Sequence, residues 1–93
     1  MITSKQRAQL RALANGIETI GQIGKDGINE NLVIQVKDAL TARQLVKYRV
    51  LETCPYTARE AAQELAGELG AEIVQVIGYR FVLYLADKKN PLI

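Results

Sequence analysis

The spacing of apolar residues alternates along the chain between helical and strand periodicity, and this alternation constrains the fold more than any other feature. Helical spacing follows Thr3 or Ser4, Asn29 and Thr57, which are residue types that cap the first turn of a helix. Strand-like runs lie between these helices, and two occur in succession after the last one. The order helix, strand, helix, strand, helix, strand, strand predicts an α/β (α+β) two-layer domain with a four-stranded mixed sheet.

The second strand is predicted to have one apolar face and one cationic face. In the segment QLVKYRVL, Val46, Tyr48 and Val50 alternate with Lys47 and Arg49. Because successive side chains of a strand point to opposite faces of the sheet, the two cations are presented together.

The carboxy-terminal part of the chain is predicted to be a hairpin followed by a tail. The runs AEIVQVI and RFVLYLA are separated only by Gly78-Tyr79, and a two-residue loop with glycine first predicts a type II′ turn. Residues 87–93 are predicted to be a flexible tail. With no repeat, linker or low-complexity segment, residues 1–93 are predicted to form a single domain.

Composition excludes most catalytic classes. The chain of 93 residues contains no histidine, which removes histidine-dependent triads and most zinc sites, and its one cysteine, Cys54, has no partner for a disulfide. The glutamates at 60, 64 and 68 have the spacing of a solvated helix face rather than of an acid-base pair. Neither GxxxxGK[ST] nor GxGxxG occurs, so nucleotide cofactors are not expected. We predict a protein that is not an enzyme and needs no cofactor or metal.

The chain is expected to be soluble and cytoplasmic. Its amino terminus, MITSKQRAQL, lacks the apolar run of a signal peptide, and no segment approaches the roughly 18 to 20 apolar residues of a membrane span. Sparse cysteine use fits a reducing compartment.

Positive charge is concentrated in the first half of the chain. Residues 1–50 carry eight basic and four acidic side chains, and residues 51–93 carry four basic and six acidic ones. This asymmetry indicates either a basic surface that attracts an anionic partner or a chance segregation of solvated charges.

The loop QIGKDGINENL is the strongest candidate for a site. Gly24 and Gly27 bracket Lys25 and Asp26 just before a predicted helix that begins after Asn29. Glycines allow a ligand backbone to approach closely, and the amide groups at a helix amino terminus favour phosphate. The same residues would also serve a simple strand-to-helix turn. Asp26 would repel phosphate unless its side chain points away or bonds the amides of its own loop. A GxxG loop that clamps a nucleic-acid backbone is known from KH domains.

Several segments together resemble a known family. TSKQRAQLRALA, IGQIGKDGINENL, DALTARQLVKYRVL and AEIVQVIGYRFVLYLADKKN are similar to the CRM domain (chloroplast RNA splicing and ribosome maturation) in its stand-alone bacterial YhbY-like form. The resemblance covers nearly the whole chain. It implies a fold similar to the carboxy-terminal domain of bacterial translation initiation factor three, and binding of structured RNA in precursors of the large ribosomal subunit.

The resemblance and the charge pattern together give a set of candidate RNA-binding residues. They are Lys5, Arg7, Arg11, Gly24, Lys25, Asp26, Gly27, Lys47, Arg49 and Arg80. Two positions depart from the family: relatives often carry a small or neutral residue at Asp26 and a basic residue at Leu85. Both departures are expected to weaken RNA affinity somewhat, or to shift the RNA contact toward the first helix and toward Lys47 and Arg49.

The expected partner is precursor rRNA, with neither DNA nor a membrane, and the expected oligomeric state is a monomer. The alternative is a protein-interaction module that docks on a ribosomal protein or assembly factor through residues 57–70, whose outer face is acidic.

Overall fold

The computed structural model describes residues 2–93, which form three helices and four strands. The elements in chain order are α1 (Ser4–Ala14), β1 (Thr19–Ile23), α2 (Glu30–Arg43), β2 (Leu45–Val50), α3 (Ala58–Leu69), β3 (Glu72–Ile77) and β4 (Arg80–Tyr84). This order and the predicted fold class are confirmed.

The strands form one mixed sheet in the order β1-β2-β4-β3. The outer strand β1 runs parallel to β2, and α2 makes the crossover between them. The pairs β2–β4 and β3–β4 are antiparallel. The two edges of the sheet are therefore β1, which leads into the GKDG segment, and β3.

Helices cover both faces of the sheet, which modifies the predicted two-layer arrangement. The larger core contains Val46, Tyr48 and Phe81 and packs against α2 and α3, whereas Leu45 and Val82 belong to a second cluster with Leu10 of α1. Strand alternation places these two sets on opposite faces. Since α1 is a single helix on its face, part of that face stays uncovered.

The predicted helix starts are confirmed by their capping bonds. The side chains of Thr3, Asn29 and Thr57 accept hydrogen bonds from backbone N–H groups in the first turns of α1, α2 and α3, at 3.1, 2.9 and 3.1 Å. Each cap satisfies a donor that the helix itself leaves unpaired, which contributes about 1 kcal/mol. The cap at Asn29 fixes where α2 begins relative to the preceding turn.

The predicted hairpin is also confirmed. Ile77 pairs with Arg80 across a two-residue loop, and Gly78 has φ +58°, as the first position of a type II′ turn requires. In the segment 87–93, which has no helix or strand, the backbone N–H groups of Asp87 and Leu92 donate to the Gln44 side chain at 3.2 and 2.8 Å. These contacts restrict the segment, whose flexibility remains a prediction.

Gly21 of β1 is a glycine because an aromatic ring lies on its backbone. A Cβ atom at this position would be 2.6 Å from Cε1 of Tyr48, which is itself stacked on Phe81 with ring centroids 6.1 Å apart. Burial raises the pKa of the Tyr48 phenol, and the nearby Arg43 guanidinium opposes that shift. Tyr48 is thus a core residue that holds β1 against β2.

Gly21→Ala is expected to lower the free energy of unfolding by roughly 1–3 kcal/mol, since the added methyl group must displace a buried ring that is stacked on Phe81. Chemical denaturation measures this change. Gly67→Ala is the control, because a Cβ at that exposed helical position meets no atom within 4 Å. Equal stability of Gly21→Ala and wild type would show that the ring does not constrain the strand.

Candidate nucleic-acid interface

Three connections meet at one end of the sheet, which we call the loop end: residues 24–29, residues 51–57 and the hairpin loop 78–79. The N–H of Leu51 donates to the Ile23 carbonyl at 2.9 Å, and the N–H of Val50 donates to the Tyr79 carbonyl at 2.7 Å. These bonds extend the sheet pairing into the connections. The loop end is therefore a continuous surface carried by the sheet.

Residues Gly24 to Gly27 form a tight turn, which we call the GKDG turn. The N–H of Gly27 donates to the Gly24 carbonyl at 3.0 Å, and Gly27 has φ +63°. A Cβ on Gly27 would lie 3.1 Å from Cγ of Pro55 and 3.2 Å from Cε2 of Tyr56. Gly27 is buried, and its glycine identity follows from the fold alone.

Gly24 is different, because neither conformation nor packing requires glycine there. Its φ is not in the positive range, and the nearest atom to a Cβ would be Cδ1 of Leu51 at 3.6 Å, an ordinary contact. A missing side chain at Gly24 keeps the backbone of the turn accessible from outside. The fold therefore requires glycine at position 27 but not at position 24, where a ligand could be the reason for it.

Lys25 and Asp26 form the exposed tip of the GKDG turn. Within residues 2–93, the Asp26 carboxylate has neither a hydrogen-bond partner nor a salt-bridge partner. It therefore does not cap the amides of its own turn, which had been one way to reconcile this residue with a phosphate site. Its side chain forms no ion pair with Lys25, although the two residues are adjacent in the sequence.

Two arginines face each other on the sheet surface near the loop end. Arg49 of β2 and Arg80 of β4 are directly opposite in the antiparallel pairing, and both are exposed. They lie on the α1 side of the sheet, opposite to Tyr48 and Phe81. Like charges opposite each other on neighbouring strands are unfavourable, and an anion placed between them relieves the repulsion. Lys25, Arg49 and Arg80 define what we call the loop-end patch.

Lys47 is less available than the sequence predicts. It is partly buried, and its ammonium group donates to the Ile17 carbonyl at 3.1 Å, next to the start of β1. One of its three donors is used within the protein. The structure thus assigns Lys47 a bridging contact between β2 and the segment that follows α1.

Arg7 and Arg11 lie away from the loop-end patch, at the β3 edge. Both line a groove of about 870 Å³ that follows the outer side of β3. The Arg7 guanidinium donates to the carbonyl of Ile73, so it covers part of the unpaired edge. The sheet order separates this groove from β1 by three strand spacings, roughly 14 Å.

Arg59 of α3 lines the same groove and is absent from the residues predicted from sequence. It was not predicted because the exposed side of α3 is mostly acidic, with Glu60, Glu64 and Glu68. No local signal could have found it, because its place in the groove depends on Arg7 and Arg11, which are about 50 residues away in the chain. Arg7, Arg11 and Arg59 define what we call the edge groove.

Lys5 does not join either cationic surface. It lies two positions before Arg7, which turns it by roughly 160° around the axis of α1, and it is exposed. The ten predicted residues therefore divide into the GKDG turn with Arg49 and Arg80, the edge groove with Arg7 and Arg11, and two separate lysines.

Residues 2–93 bring together no group of three histidine, cysteine or acidic side chains that could hold a metal ion. None of their helices is long and apolar enough to cross a bilayer. The fold places exposed cations in two areas, near the GKDG turn at the loop end and in the edge groove along β3. These features define a small α+β domain with cationic surface areas at one end and one edge of its sheet.

A protein-family model identifies the family of this chain. The chain belongs to the CRS1/YhbY (CRM) domain family, whose model matches residues 2–84. The resemblance inferred from the sequence is thereby confirmed.

Individual relatives cover the chain almost completely. It is 39% identical over 93 residues to the probable RNA-binding protein YqeI of Bacillus subtilis, an alignment that covers 100% of this chain and 97% of YqeI. An RNA-binding protein of Haemophilus influenzae is 28% identical over 91 residues, covering 98% of this chain and 92% of that protein.

A solved structure supports the same grouping. The solution structure of SAV1595 from Staphylococcus aureus, described as a candidate RNA-binding protein, has 43% sequence identity and a TM-score of 0.74, and the match covers 100% of this chain and 97% of that one.

Proposed function

We propose that this protein binds structured RNA in precursors of the large ribosomal subunit and assists assembly of that subunit, without catalysing a reaction. The observation that carries the RNA-binding proposal is the Arg49–Arg80 pair beside the GKDG turn. Two exposed cations directly opposite each other repel, and a phosphate backbone lying across them would remove that repulsion. The accessible backbone of Gly24 nearby would let the same RNA strand approach.

Relatives named for RNA binding support this proposal. The ribosomal target rests on the resemblance to YhbY-like proteins. A monomer acting in the cytoplasm on rRNA, without DNA or a membrane, belongs to the same proposal.

In the proposed mode of binding, one RNA strand follows the loop end. Its phosphates contact Lys25, Arg49 and Arg80, and its backbone passes over Gly24, where no side chain blocks the approach. The edge groove contributes Arg7, Arg11 and Arg59 to a second stretch of the same folded RNA. Because the contacts are to backbone atoms, recognition depends on RNA shape more than on base sequence.

A cell extract tests the proposed target. Tagged protein should sediment with large-subunit precursors and be released by nuclease treatment, because RNA holds it there. Protein that stays on the particle after the RNA has been digested would support the alternative, docking on a ribosomal protein through the exposed acidic row of α3.

Asp26→Asn is expected to strengthen binding to a labelled single-stranded oligoribonucleotide by roughly twofold to fivefold, which corresponds to about 0.4–1 kcal/mol for an exposed charge. The physical reason is that the free carboxylate at the tip of the GKDG turn repels phosphate. Fluorescence anisotropy at low salt measures the change.

Asp38→Asn is the control for Asp26→Asn, since it removes the same charge from an exposed position on α2. If both variants gain affinity equally, only the net charge matters, and the GKDG turn has no special place in binding.

A further inference from the structure

The aromatic residues of the chain are divided between the core and a single cleft. Tyr48, Phe81 and Tyr84 are buried, with exposed fractions of 3%, 0% and 3%. The remaining two, Tyr56 and Tyr79, line one cleft of about 450 Å³ between the β2–α3 loop and the hairpin loop. We call it the Tyr79 cleft. Every aromatic ring that is not in the core therefore borders the same space.

Tyr79 is held in place although most of its surface is free. Its side chain is 61% exposed, while its carbonyl accepts the N–H of Val50 at 2.7 Å and the type II′ turn fixes its backbone. A ring with most of its surface exposed contributes little to the packing of residues 2–93. It presents a flat face that a planar ligand can cover.

The charge of the Tyr79 cleft excludes phosphate as its occupant. No lysine or arginine lines it, and its one acidic side chain is Glu52. The rest of the lining combines apolar side chains such as Leu51 and Pro55 with the uncharged polar side chain of Thr57. An uncharged planar group fits this lining, whereas an anion would be repelled.

The Tyr79 cleft adjoins the GKDG turn. Pro55 and Tyr56 line the cleft on one side and contact Gly27 on the other. A strand whose backbone passes over the GKDG turn, with a phosphate on Lys25, would therefore bring a base to the mouth of the cleft.

From these observations we propose that the Tyr79 cleft binds one unpaired nucleobase of the RNA, stacked on the Tyr79 ring. This inference rests on the proposed RNA binding and adds a base contact to it. It gives the protein a preference for RNA with an unstacked nucleotide, such as a bulge or loop, over a continuous duplex.

The test compares the full-length wild type with Tyr79→Ala and Tyr79→Phe, using two labelled probes of equal length. One probe is a 12-nucleotide oligoadenylate, and the other has the same ribose-phosphate backbone with abasic positions throughout. Wild type and Tyr79→Phe are expected to bind oligoadenylate roughly 5- to 100-fold more tightly than the abasic probe, the range of base stacking on an aromatic side chain.

Tyr79→Ala is expected to bind both probes equally, at the affinity of wild type for the abasic probe. Thermal unfolding should be unchanged, because the ring is exposed. If Tyr79→Ala loses the same factor on both probes, or keeps the wild-type preference for oligoadenylate, the cleft does not bind a base. Failure of every variant to bind either probe would instead overturn the proposed RNA binding itself.

Discussion

Gly27→Ala is expected to lower the free energy of unfolding by roughly 2–4 kcal/mol, whereas Gly24→Ala should leave it within about 0.5 kcal/mol of wild type. At Gly27 the backbone has φ +63°, where a Cβ is strained, and the added methyl group would press on Pro55 and Tyr56 at 3.1 and 3.2 Å. At Gly24 the same methyl group makes an ordinary contact with Leu51 at 3.6 Å. Chemical denaturation of both variants measures the difference.

RNA affinity then separates the two roles of the glycine pair. Gly24→Ala remains folded, so a loss of affinity for the oligoadenylate probe reports that the RNA backbone comes close to the GKDG turn. Unchanged affinity would mean that the turn only connects β1 to α2 and that the RNA lies on Arg49 and Arg80 alone. Equal stability of the two variants would contradict the structural distinction between the glycines.

The order of elements could be predicted because local signals agree with the fold at almost every step. The caps at Thr3, Asn29 and Thr57 and the glycine at 78 act through bonds within a few residues of themselves. Such signals are fully contained in the sequence. The side of the sheet on which α1 packs is not, because it depends on how Leu10 meets residues from β2 and β4 far along the chain.

The candidate site was predictable in part for the same reason. The GKDG turn is one continuous segment, and the pattern of β2 already places Lys47 and Arg49 on one face. The sequence does not reveal that Arg49 lies opposite Arg80, since this depends on the register of β2 with β4. Nor does it reveal that the Lys47 ammonium is bonded to Ile17, a contact between residues 30 positions apart.

Arg59 and Tyr79 show a different limit. Each is unremarkable in its own segment, as a cation on an acidic helix and as the second residue of a hairpin loop. Their significance arises only when the fold places Arg59 beside Arg7 and Arg11, and Tyr79 beside Tyr56. Residues that gain a role from distant neighbours are the ones that periodicity and spacing cannot identify.

Removing the loop-end patch with the triple substitution Lys25→Ala, Arg49→Ala and Arg80→Ala is expected to weaken binding of single-stranded RNA by about 100-fold at 0.1 M salt. Each phosphate contact contributes about 0.7 to the slope of log K against log salt on a single strand, so three contacts account for about two orders of magnitude at this concentration. The slope itself should become less steep by about 2. All three side chains are exposed, so folding should persist.

A charge-matched control separates the patch from the overall charge of the protein. Replacing Lys37, Lys88 and Lys89 by alanine also removes three exposed cations, and either triple substitution changes the formal net charge from +2 to −1. Long-range attraction falls equally in both variants, but local contacts are lost only in the first. If RNA affinity drops by the same factor in both variants, no phosphate of the RNA contacts the loop-end patch. If only the first variant loses affinity and its salt slope is reduced, phosphates of the RNA contact the loop-end patch, where Arg49 and Arg80 lie opposite each other.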